Sequence, residues 1–87
     1  MTISWASERT AKAWSACASS LCVPLASMDP DALLVDLGLS QYEMYVLEVV
    51  LFASCGGFVL PEQLSCEDVT LRDLDYYADL YLEQRAI

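Results

Sequence analysis

Asp36-Leu37-Gly38-Leu39-Ser40-Gln41-Tyr42-Glu43 is the stretch on which the fold turns. Its second half is a capping box: a Ser whose oxygen can accept the N3 amide, and a Glu at N3 that can reach back to the cap. A helix therefore opens at Ser40. It runs to about Ser54 and is stopped by Gly56-Gly57. Toward the N-terminus, Val23 to Leu39 contains Pro24, Pro30 and Gly38 and reads as a long structured loop. Its Leu33, Leu34, Val35 and Leu37 are expected to tuck onto the core, with Asp29-Pro30 starting a short turn. Before it, residues 2 to 22 read as one helix, with Trp14, Ala18, Leu21 and Leu25 at 4-3-4 spacing and Ile3 and Thr10 extending the stripe. Beyond Pro61 comes a short helix at about 62–67. A second capping box, Thr70-Leu71-Arg72-Asp73, then opens a last helix to about Gln84, striped by Leu71, Leu74, Tyr77 or Ala78, and Tyr81. The expected fold is all-α, a four-helix bundle in one domain spanning residues 1–87.

In register, three segments resemble the acyl/peptidyl carrier protein family. Asp31-Ala32-Leu33-Leu34-Val35-Asp36-Leu37-Gly38-Leu39-Ser40 is similar to the loop ending D-L-G-x-[DS]-S. Gly56-Gly57 with Pro61 resembles the stop after the family's second helix, and Thr70-Leu71-Arg72-Asp73-Leu74 resembles its T-[VL]-x-D-L opening of the last helix. The resemblance covers Asp29 to about Tyr81. It implies a serine after D-L-G-x-[DS] that carries 4′-phosphopantetheine and, on its thiol, acyl or aminoacyl cargo. That position is Gln41, whose carboxamide has no hydroxyl to phosphorylate. Ser40 is the alternative attachment site. Its competing role is the helix cap, in which its oxygen turns back toward the helix amides.

A second departure concerns docking. Carriers display acids on the second helix for basic patches of partner enzymes. Glu43 keeps one such position, but Val46, Phe52 and Ala53 replace others. The helix is apolar nearly all round, more than a small domain can bury, so an exposed patch for a partner is expected. Tyr42, Glu43, Tyr45, Val46, Val49, Phe52 and Ala53 are the candidate partner-binding residues, and self-association through the same patch is a further expectation. Glu48 is either the polar edge of this helix or a pair for a partner's Arg.

The charge balance narrows the partners. Thirteen acids face four bases, with no histidine, for a net charge of −9. From Asp29 onward every remaining acid but Glu8 is found, against only Arg72 and Arg85. Nucleic acid and anionic membranes are repelled and basic protein surfaces are attracted. Asp68, Asp73, Asp75, Asp79 and Glu83 read as a solvated face, Tyr76, Tyr77 and Tyr81 as core and rim packing, and Trp5 and Trp14 as anchors of the first helix. Cys17, Cys22, Cys55 and Cys66 form no CxxC pair, so no metal site is expected. With no secretory signal and no apolar run long enough to span a membrane, reduced thiols and a cytoplasmic location are expected. No base, phosphate loop or carboxylate pair supports an enzyme, and no resident cofactor is expected unless Ser40 carries the arm.

The sequence thus implies a degenerate carrier that serves as a binding or activating subunit for a protein of a polyketide, nonribosomal-peptide or lipid assembly line. A working carrier modified on Ser40 is the alternative. A sterile alpha motif domain is the second alternative: Leu37-Gly38-Leu39-Ser40-Gln41-Tyr42 resembles its L-G-L-x-Q-Y, and Leu64-Ser65-Cys66-Glu67-Asp68-Val69 its L-T-x-E-D-L. The gap between the two stretches is longer here, and the closing L-G-I helix is missing.

Overall fold

The computed structural model of the protein describes residues 3–58 and 68–85. The short helix expected at 62–67, and Cys66, lie outside the described residues. The described part is mostly helical, with α1 at Ala11–Leu21, α2 at Gln41–Ser54 and α3 at Leu71–Arg85. Short 3₁₀ turns at Leu25–Ser27 and Leu34–Leu37 punctuate the loop between α1 and α2. The four-helix count is therefore not complete among the described residues.

α1 packs along α2. Ala13, Trp14 and Cys17 from α1 and Met44, Leu47 and Leu51 from α2 are buried, at spacings that place each set on one helical face. α3 adds Leu71, Leu74 and Ala78, and the loops add Leu25, Leu34 and Val69. The loop before α2 is tied to the start of α3 by backbone bonds, from Leu34 N to Val69 O and from Arg72 N to Pro30 O, each 3.0 Å.

The first helix is half as long as its periodicity implies. Residues 3–10 fold as turns, and helix begins only at Ala11. The cause is tertiary: the Ser7 amide donates to the Asp75 carboxylate at 3.3 Å, not to a carbonyl of its own segment. Trp5 sits in these turns, not on the helix. Its ring meets Trp14 edge-on at 4.7 Å, and its Nε1 donates to the Leu25 carbonyl at 3.2 Å.

Of the loop leucines, Leu34 is fully buried and Leu37 half-buried, but Leu33 and Val35 are exposed. A 3₁₀ turn repeats every three residues, so 34 and 37 share the inward side and 35 faces out. The Asp29 turn forms as expected: Ala32 N bonds to Asp29 O, and Asp31 N to the Asp29 carboxylate at 2.9 Å.

Candidate functional site

Gly38 ends the second 3₁₀ turn in the left-handed region, at φ 81°, and aims the chain into α2. Leu39 is buried, and Ser40 takes the extended conformation of an N-cap. Ser40 Oγ accepts from the Glu43 amide at 3.1 Å, and Glu43 Oε1 accepts from the Ser40 amide at 2.9 Å. Both halves of the capping box are closed. One oxygen of the Glu43 carboxylate is thus engaged at the helix end. Gln41, the first residue of α2, is exposed.

The face of α2 opposite Met44, Leu47 and Leu51 is also apolar. Tyr42 is 75% exposed, Tyr45 64%, Val49 44% and Phe52 46%. Their i, i+3, i+7, i+10 spacing makes one continuous ridge. Ala53 is exposed on its flank, whereas Val46 is half-buried. At the far end of the ridge is a cleft of about 440 Å³ lined by Tyr45, Glu48, Val49, Phe52 and Phe58.

Phe58 is the member that sequence reasoning missed. It is buried, and its ring meets Tyr81 edge-on at 6.0 Å. The chain reaches it through Gly56 and Gly57, at φ 71° and 111°. The Gly57 amide closes back on the Phe52 carbonyl at 2.8 Å. Tyr81 donates its hydroxyl to the Gly56 carbonyl at 3.2 Å, and the Arg85 guanidinium donates to the same oxygen. A side chain at Gly56 would meet that guanidinium, with a Cβ 2.5 Å from it. The apolar residue just past a Gly-Gly stop was the available signal.

A polar cluster joins the N-terminal turns to α3. Asp75, expected on a solvated acidic face, is buried. Its Oδ1 accepts from Trp14 Nε1 at 3.0 Å, from the Ser7 amide at 3.3 Å and from the Thr10 hydroxyl. The signal was in the stripe: Leu71, Leu74, Asp75 and Ala78 stand at i, i+3, i+4, i+7, so Asp75 shares the core face. Asp79, one turn on, accepts from the Ser7 hydroxyl at 2.9 Å and pairs with Arg9 at 3.0 Å. Tyr77 and Tyr81 are half-buried, as rim packing requires, while Tyr76 is 61% exposed.

Cys17 and Cys55 are buried free thiols and Cys22 is an exposed one. Burial pushes the Cys17 thiol up to about 12, with a smaller push from Cys55. The Cys55 thiol is raised by burial and then by the charge of Asp75. These are protonated, inert core side chains, not nucleophiles. Among the described residues no group of three His, Cys, Asp or Glu side chains is placed to hold a metal ion. No helix among them is long and apolar enough to cross a membrane.

Comparison of the chain with protein-family models, with curated proteins and with solved structures gives no significant match.

Proposed function

We propose that the chain is a non-catalytic, carrier-protein-like interaction module that lacks a prosthetic arm and docks an enzyme or other protein of a biosynthetic assembly line through the outward face of α2. The observation that carries this reading is the ridge Tyr42–Tyr45–Val49–Phe52: four large apolar side chains exposed together on the side away from the core. Such a patch on a small domain favours a protein partner. The absence of an arm is supported by the amide side chain of Gln41 and by the engagement of Ser40 in both halves of a capping box.

Two measurements test the reading. Incubation with a broad-specificity phosphopantetheinyl transferase and coenzyme A, followed by mass spectrometry, is expected to leave the chain unmodified. A phosphopantetheine mass located on Ser40 would make it a working carrier instead. Calorimetric titration against the products of neighbouring genes is expected to find one partner that Phe52→Glu binds at least about 10-fold more weakly, with the helical circular dichroism of the variant unchanged. Phe52 suits this test better than half-buried Val46, because its substitution leaves the core intact. Equal affinity of Phe52→Glu and the parent chain for that partner places the interface elsewhere.

A further inference from the structure

The chemistry around the α2 ridge specifies what sits on it, given the docking role proposed above. We infer that the partner element is an amphipathic helix with an apolar stripe and Lys or Arg flanks, which lays its stripe along Tyr42–Tyr45–Val49 and inserts a large apolar side chain into the cleft at Phe52 and Phe58.

The shape argues for a helix. The ridge is a single helical row, and a row of this kind packs into the groove between rows of another helix. The ridge lies on a helix, so it offers no open strand edge to which an extended strand could add. The cleft of about 440 Å³, floored by Phe58, has room for one or two large side chains and is apolar but for Glu48.

The charge argues for cationic flanks. α2 contains two acids, Glu43 and Glu48, and no base. The two arginines beyond Asp29 are both engaged within the chain. Arg72 pairs with Asp31 at 2.6 Å, and Arg85 is held on the Gly56 carbonyl. Cationic flanks on the partner therefore complement the net charge of −9 that the chain presents. The same balance disfavours a second copy of the chain, since two molecules of net charge −9 would meet through faces that each carry the same acids.

The experiment uses the full chain and three synthetic peptides of equal length: an apolar-striped helix flanked by Lys and Arg, the same stripe flanked by Glu, and the basic composition scrambled to destroy the stripe. Binding is followed by fluorescence anisotropy against the parent chain, Phe52→Ser and Tyr45→Ser, which change the apolar ridge without changing its charge. The expected result is binding of the basic striped peptide alone, weakened on the order of 10-fold by either substitution and weakened further by added salt. If the Glu-flanked stripe binds equally well with the same sensitivity, docking on α2 stands and the cationic partner is overturned. If the scrambled peptide binds equally well, or neither substitution matters, the ridge is not the docking surface and both readings fall. A basic striped peptide that does not bind overturns the cationic helix, as does a chain that sediments as a dimer and is dissociated by Phe52→Ser.

Discussion

Asp75 shows how one residue organises the N-terminal third of the chain. A buried carboxylate needs donors, and three converge on Oδ1: the Trp14 indole, the Ser7 amide and the Thr10 hydroxyl. Trp14 and Thr10 are themselves fully buried, so neither can turn to water if the acceptor is removed. Asp75→Ala is expected to destabilise by about 2–5 kcal/mol, because it opens a small cavity and strands two buried donors at once. Asp75→Asn keeps an oxygen where Oδ1 stands and is expected to lose less. Urea unfolding followed by tryptophan fluorescence checks both. A loss under about 0.5 kcal/mol for Asp75→Ala would mean that the cluster contributes no net stability. The same residue explains where sequence reading stopped short. In sequence Asp75 reads as one of the solvated acids, although its i+4 position after Leu71 sets it on the core face, and the consequence of that placement was not legible either. A carboxylate on α3 captures the Ser7 amide from 68 residues away, and so residues 3–10 are turns rather than the first half of a helix.

Elements defined by local chemistry were the ones most legible from the residues. Both capping boxes close as their four-residue patterns require, Ser40 with Glu43 and Thr70 with Asp73, the latter through bonds of 3.0 and 3.2 Å. The outward face of α2 was legible too, because a helix apolar all round must expose one side when only the other meets α1. The cleft was not, since Phe58 reaches it only through the backward turn at Gly56 and Gly57 and through the hold of Tyr81 and Arg85 on Gly56. The cap is the element-scale feature with the widest consequence, because it bears on whether Ser40 is free to carry an arm. Ser40→Ala is expected to cost about 1 kcal/mol, read as a fall of about 4–8 °C in Tm for a domain of this size. In a double-mutant cycle with Glu43→Ala the two losses should be less than additive, because each substitution breaks the same box. An unchanged Tm for Ser40→Ala would return Ser40 to the role of a free surface hydroxyl.

At the scale of the whole molecule the dominant fact is charge of one sign on a small body, −9 within a radius of gyration of 11.7 Å. Two exposed ion pairs, Arg9–Asp79 and Arg72–Asp31, join distant parts of the chain, but at solvent-exposed sites they add little stability. Cohesion falls to the apolar seam between α1 and α2, and that seam contains a thiol. Cys17 Sγ donates to the Leu47 carbonyl at 3.8 Å, and its ionisation is pushed from 9.0 up to about 12. The sign of its effect on stability follows from where protons are held. Below pH 9 the thiol is protonated in both the folded and unfolded chain, and its contribution is fully present. Between pH 9 and about 12 the unfolded chain releases a proton that the folded chain retains, so stability is lost as pH rises through that window. Comparison with Cys17→Ala isolates this effect, because the variant lacks only this thiol. Under reducing conditions the variant is expected to be less stable than the parent at pH 8, from lost packing, and the gap between them should narrow steadily toward pH 11. Urea unfolding at half-unit steps measures it. Parallel curves across that range would show that Cys17 does not resist ionisation in the folded chain.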